Sequence, residues 1–336
     1  MPWTLRWGPQ RTDLVRFNRV EALSVGARGQ VRLGSPLGPL SLTAISRLGT
    51  ADREANVRLS VAGESLRRRI SWSVFHELAG VDETARPLRI GNSVTALFMG
   101  RDDGEYYRRS GTALEWTPPS SRRRTFRVRG YAEHHRSVET GTRFSIGHLA
   151  DEGWTFRDNL VAGEGWELGT LVELAPWWGT DPRKPQGGLM FGAQGGTGDT
   201  EYVRAYGGGV LAFSFARDLG LRLEVAGGRA WGKPTPQRLW ILGGPTTLRG
   251  YGPRILEGRA FSRARGELGR DFAFGPLMLF ADAGWAGNPS SGRLADALVS
   301  VGAGLSLVEG LVRVDAAWGL RAPRGFRLEL YLDGVR

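Results

Sequence analysis

The sequence predicts an all-β fold, a transmembrane antiparallel β-barrel of about sixteen strands, and three observations carry that prediction. Apolar and polar residues alternate with period two along most of the chain, while helical periodicity is nearly absent. The alternating segments are many and evenly spaced from Val20 onward, with turn signals between them at Gly34-Ser35-Pro36, Asp102-Asp103-Gly104 and Gly196-Thr197-Gly198-Asp199. The polar parity mixes charges of both signs with glycine, and Trp116, Trp177, Trp178, Trp231, Trp240 and Trp285 fall near segment ends. Successive strand residues face opposite sides of a sheet, so each segment has one apolar and one polar face. A soluble sandwich buries the apolar face. A membrane barrel turns it to lipid, keeps the polar face wet and rings both interfaces with aromatics. Tryptophan is common in soluble cores too, so the girdle alone leaves both readings open. The spacing and the mixed-charge polar face favour the barrel.

Taken in order, residues 1–19 read as a short N-terminal segment, too few for a folded domain, and residues 20–336 as the barrel. Leu23, Val25, Ala27, Val31 and Leu33 share the first apolar parity, against Ser24, Arg28, Gln30 and Arg32. Val57-Leu59-Val61, Ile70-Trp72-Val74 and Phe126-Val128 continue the pattern. Leu221, Leu223 and Val225 are expected to face lipid, with Arg222 and Glu224 inward. Residues 242–251 then break the alternation with three glycines and a proline, as a loop does. Five further segments follow, at 257–270, 276–287, 297–309, 311–320 and 325–333; with about eleven before the loop the total is even, as in bacterial barrels. In the last two, Val312, Val314, Leu328 and Leu330 are expected outward, and Arg313 and Glu329 inward.

Composition narrows the function. The chain has 336 residues and no cysteine, which removes disulfides, thiolate metal sites and cysteine nucleophiles. The net charge of +11 is compatible with nucleic acid or anionic lipid, but Lys184 and Lys233 are the only lysines, and the arginine bias also fits GC-rich coding. No nucleic-acid partner is expected. No run of about 18 apolar residues is present to form a spanning helix, and Met1-Pro2-Trp3-Thr4 opens no signal peptide, so an exported protein would be numbered here from a processed or trimmed start. The chain is not expected to be an enzyme, nor to hold a cofactor or metal. His76, His134, His135 and His148 lack helical zinc spacing, and His134-His135 on a strand point apart. Gly195-Gly196-Thr197-Gly198-Asp199 has the glycines of a phosphate loop without the Lys-Ser/Thr or the helix, so it reads as a turn.

The informative constellation surrounds the loop. Leu248-Arg249-Gly250-Tyr251 sets an arginine among bulky apolar residues. On that stretch alone, a solvated surface turn and a loop packed against something are equally good readings. The strands after it add Glu267 on one and Asp282 on the next, both on the charged parity. That parity is luminal, because a basic residue facing lipid costs ~2–4 kcal/mol at the bilayer midplane. A loop folded inward would bring Arg249 to both carboxylates, and a guanidinium fork suits that pairing.

The Gly243-Gly244…Leu248-Arg249-Gly250-Tyr251 loop, Glu267, and Phe280-x-Asp282-x-Gly284 resemble the outer-membrane insertase and translocase superfamily, also called the bacterial surface antigen family. The resemblance implies a sixteen-stranded barrel whose long sixth extracellular loop folds inward, with Arg249 at its tip and Glu267 and Asp282 as its luminal partners. It implies residence in the bacterial outer membrane. The implied function is insertion or translocation of other proteins through a lateral gate between segments 20–33 and 325–333. The partners it implies are outer-membrane lipid and client proteins (unfolded barrels or secreted substrates); the family usually carries POTRA domains before the barrel, so the sequence reads either as the barrel part of a longer protein or as a variant that relies on a periplasmic partner for the POTRA function. The chain also ends Asp333-Gly334-Val335-Arg336 rather than on the aromatic residue common in the family. The alternative from another class is a passive outer-membrane pore or structural surface barrel plugged by the same loop.

Overall fold

The computed structural model describes residues 3–7, 13–34, 38–82, 85–181, 184–215, 218–272, 275–290, 296–307 and 312–332. The Ser35-Pro36 turn, the ends of segments 297–309 and 311–320, and the C-terminal Asp333–Arg336 lie outside the described residues. The chain divides into two compact units: Met1–Glu173 with Gln194–Tyr202 and Lys233–Arg238, and Leu174–Ala193 with Val203–Gly232 and Leu239–Arg336.

Unit 1 is an antiparallel meander. Its strands are β1 (Trp3–Trp7), β2 (Val15–Asn18), β3 (Ala22–Leu33), β4 (Leu40–Gly49), β5 (Ala55–Glu64), β6 (Arg69–Gly80), β7 (Tyr106–Thr117), β8 (Phe126–Arg136) and β9 (Gly165–Leu174). From β3 to β8 each strand pairs with the next. Pairing begins ahead of Val20, because β1 and β2 both lie along β3, Leu5 opposite Gly29 and Phe17 opposite Leu23. Segment 20–33 is therefore not the first strand to pair; part of the short N-terminal segment runs along it in two pieces.

Two long connections, residues 81–105 and 137–164, pack onto the β2–β3 turn. Arg19 is fully buried there, its backbone N–H donating to Asp102 at 2.8 Å and its guanidinium to Glu105 at 3.1 Å and Asn159 at 2.9 Å. The first connection contains helix α1 (Ile90–Met99), closed by Gly100 in the left-handed conformation at φ 65°. The sequence reading did not find this helix. Ten residues with no acidic first turn and no side-chain cap leave little signal of their own. Packing against β2 and the turn at Ile146–His148 supplies what the local sequence lacks.

Unit 2 carries β10 (Trp177–Trp178), most of β11 (Gln186–Gly198) and β12 (Tyr202–Ser214), and β13 (Leu219–Gly232). Then follow a two-stranded ribbon, β14 (Trp240–Leu242) with β15 (Leu256–Gly258), and the meander β16 (Ala260–Phe272), β17 (Gly275–Gly287), β18 (Leu298–Leu307), β19 (Val312–Gly319) and β20 (Gly325–Leu332). β13 pairs directly with β16, so residues 233–259 form one excursion between adjacent strands.

The two faces of these strands invert the usual rule of burial. On β17, Leu277 and Leu279 are exposed while Phe280 and Asp282 are buried. On β19 and β20, Trp318, Phe326 and Leu328 are exposed while Arg313, Asp315 and Glu329 are buried. Leu223 and Val225 on β13 are also exposed, although Arg222 across the sheet stays exposed too. A water-soluble sheet hides its leucines and wets its charges; the opposite arrangement suits lipid outside and a packed polar interior. Among the tryptophans expected at the interfaces, Trp116, Trp178 and Trp231 are exposed near strand ends. Trp240 is an exception: it lies 5.6 Å from Tyr206 and 4.6 Å from Phe261 by ring centroids, part of the ribbon's packing.

Candidate functional site

The site is the tip of the excursion, residues 243–255, held between the ends of β14 and β15 in unit 2. Its shape comes from three glycines with left-handed φ: Gly243 at 129°, Gly244 at 78° and Gly250 at 79°. Residues with a Cβ rarely adopt these values. Thr247 clamps the first turn, its Oγ1 accepting from the Gly243 N–H and donating to the Gly243 carbonyl, both at 2.8 Å. The Leu248 N–H donates to the Gly244 carbonyl at 3.0 Å, and the Gly244 N–H to the Tyr251 carbonyl at 3.0 Å. The result is a compact knob that presents Leu248, Arg249 and Tyr251 together.

Each of the three is fully or almost fully buried. Leu248 and Tyr251 pack with Leu298, flanked by Ile255 and Leu256. Gly284 on β17 is the seat for Leu248: a Cβ there would stand 3.2 Å from Leu242 Cδ1 and 3.4 Å from Leu248 Cδ1. The Tyr251 hydroxyl donates to the Val299 carbonyl at 2.9 Å and accepts from the Arg321 N–H at 3.1 Å.

Arg249 meets Asp282 through its fork, Nη2 at 2.6 Å and Nε at 2.8 Å, and its backbone N–H adds a third bond to Asp282 at 3.1 Å. Nη1 reaches Glu267 at 2.5 Å and Asp315 at 3.4 Å. Its guanidinium carbon stands 3.6 Å from the centre of the Phe280 ring, a cation–π contact. Phe280 can lie there because the residue paired with it across β17 and β18 is Gly302, where a Cβ would collide with the ring. The predicted residues Gly243, Gly244, Leu248, Arg249, Gly250, Tyr251, Glu267, Phe280, Asp282 and Gly284 thus converge on one place.

Sequence reasoning missed the rest of the cluster. Arg313 bridges Glu267 at 2.6 Å and Asp315 at 2.9 Å; Arg265 lies 3.3 Å from Asp282; the Gly250 N–H donates to Glu329 at 3.4 Å. Arg313, Asp315 and Glu329 all share the charged parity, which was the available signal. Their strands are not sequence neighbours of the loop, so nothing local tied them to Arg249.

A second buried arginine lies at the start of the same excursion, in unit 1. Arg238 meets Glu167 at 3.0 Å, and Glu167 accepts from the hydroxyls of Tyr131 at 2.6 Å and Tyr202 at 2.7 Å. Its neighbour Gln237 clamps Gly163 in both directions, at 2.8 and 2.9 Å. His135 faces into this network, 3.0 Å from Glu133, whereas His134 sits beside Trp166. The two rings serve different faces of β8. Gly195-Gly196-Thr197-Gly198 forms the end of β11, and Asp199 just beyond it accepts from the Trp166 N–H at 2.7 Å.

Every acidic group around Arg249 is engaged by arginine or backbone N–H donors, and among the described residues no group of three or more histidines and carboxylates is arranged to hold a metal ion. The arrangement fixes a loop tip to five later strands, β16 to β20.

Comparison with known proteins agrees with this architecture. The fold is that of the BamA and CdiB barrels. BamA from Haemophilus ducreyi lacking POTRA domains 1-3 superposes with a TM-score of 0.63 at 12% identity, over 98% of this chain and 69% of that one. CdiB from Escherichia coli superposes with a TM-score of 0.50 at 14% identity, over 98% of this chain and 62% of that one. This chain therefore spans less than two thirds of the CdiB chain. No family model matches the sequence, and no curated protein matches it.

Proposed function

We propose that the chain is an outer-membrane β-barrel that assists insertion or translocation of other proteins, with the Arg249 loop latched inside as part of the working device. The observation that carries this reading is the burial of Arg249 against Glu267, Asp282 and Asp315, on strands whose apolar faces are exposed. A loop that only joined two strands would need no such anchorage. In this reading the client pairs, strand to strand, with an edge opened between the first and last strands, because an exposed strand edge templates pairing. Partners are then lipid, an unfolded client, and a periplasmic protein that captures the client first.

The test is a liposome assay with the full chain and an unfolded barrel client. Because the chain has no cysteine, a pair introduced in segments 20–33 and 325–333 is the only disulfide that can form. Oxidation should stop client insertion and reduction restore it, with the barrel folded throughout. Insertion undiminished in the locked form removes the gate. Solute leakage without insertion would make the chain a passive pore.

A further inference from the structure

The turn end of β5 to β8 in unit 1 combines a cluster of arginines with an apolar groove, and the reading above uses neither. Residues 65–68 join β5 to β6, and residues 118–125 join β7 to β8. The two turns are tied together by Glu64, which accepts from the Ser120 hydroxyl at 2.8 Å and its N–H at 2.9 Å. Arg67, Arg68 and Arg122 are exposed there and have no acidic partner among the described residues. The nearby acids are already engaged, Glu64 by Ser120 and Arg69, and Glu115 by Arg124 and Arg127. Leu66, at the tip, is 88% exposed.

Above the turns, on the exposed apolar face, lies a groove of about 600 Å³. Its floor is the cross-strand pair Gly29 and Ala44, with Leu5 beyond one and Leu59 beyond the other, and Trp3 and Trp72 also line it. Two small residues side by side leave a trough in a face otherwise built of leucine, valine and tryptophan. Trp72 is four residues beyond Arg68, so the groove begins ~13 Å from the arginines at the rise of a strand. Positive charge at a strand end beside an aromatic band and an apolar trough matches a molecule with an anionic head and a hydrocarbon tail.

We propose that this surface binds one anionic glycerophospholipid, its phosphate against Arg67, Arg68 and Arg122 and an acyl chain in the groove between Trp3 and Trp72. The proposal rests on the barrel reading, since the groove must face lipid. The experiment is native mass spectrometry of the full chain in detergent micelles doped with equal phosphatidylglycerol and phosphatidylcholine. Each arginine near an anionic surface contributes on the order of a fivefold preference, so a single phosphatidylglycerol adduct should exceed the phosphatidylcholine adduct at least fivefold. R67S/R68S/R122S should bring the two adducts to parity, and R67K/R68K/R122K should keep the preference. Ala44→Leu, which fills the trough, should weaken both adducts. Equal adducts on the unaltered chain, or a preference that survives the triple serine variant, overturn the proposal and leave the arginines to an acidic protein surface. Tryptophan quenching by brominated phosphatidylcholine vesicles separates the two levels. Quenching without headgroup preference sinks only the lipid site, whereas no quenching sinks the barrel reading and the site with it.

Discussion

Arg249→Ala tests the latch most directly. The Arg249 side chain is fully buried and Asp282 nearly so, and the pair makes two fork contacts plus one from the backbone. Deleting one partner of a buried pair strands the other charge and costs ~3–5 kcal/mol. Here the stranded carboxylates keep some company: Asp282 retains Arg265 at 3.3 Å, and Glu267 and Asp315 retain Arg313 at 2.6 and 2.9 Å. The expected cost is therefore at the lower end, about 3 kcal/mol, or about a hundredfold in the docking equilibrium of the loop. Hydrogen exchange in lipid reads it out. The N–H groups of Leu248 and Arg249 should exchange about a hundred times faster in the variant, while those in the middle of β16 and β17 hold their protection. Arg249→Lys restores the charge but not the fork and should recover part of the difference. Unchanged exchange in Arg249→Ala would refute the claim that the ion cluster holds the loop.

Three further outcomes follow from the same geometry. Gly284→Ala pushes a methyl group against Leu242 and Leu248, and overpacking of this kind costs ~1–3 kcal/mol; a lowered urea midpoint with an unchanged slope should report it. Glu21, in the turn between β2 and β3, would be raised by burial alone, but Arg16 in a two-pronged contact at 2.7 Å, with Asn18, holds it below its ordinary value. Its stabilising contribution is thus fully present above the unfolded value of about 4.3 and lost as pH falls through the lower folded value, so Glu21→Gln should flatten the acid limb of a stability–pH curve. Single cysteines at Leu223, Val225 and Leu328 should take a lipid-phase label and those at Arg313 and Glu329 an aqueous one after loop release; reversed labelling would turn the sheet inside out.

Period-two alternation made most strands of both units legible, and parity alone sorted Glu267 and Asp282 onto the buried face. The loop was legible because Gly243, Gly244 and Gly250 interrupt that alternation at positions whose φ requires glycine. What escaped has a common cause. β1 is five residues long, α1 has no side-chain N-cap, and Asp315 and Arg238 gain meaning only from strands far away in sequence. Short elements depend on tertiary contacts for their existence, and charge clusters drawn from many strands leave no local pattern.

The composition of the Arg249 cluster has an electrical consequence. Arg249, Arg265, Arg313 and Arg327 stand among Glu267, Asp282, Asp315 and Glu329, four cations against four anions, most of them out of water. A balanced group of this kind has almost no field beyond a Debye length of about 8 Å at physiological salt. Dissolved ions cannot loosen it from a distance, since buried pairs are little screened. Added salt should therefore loosen the knob far less than removal of one of its charges.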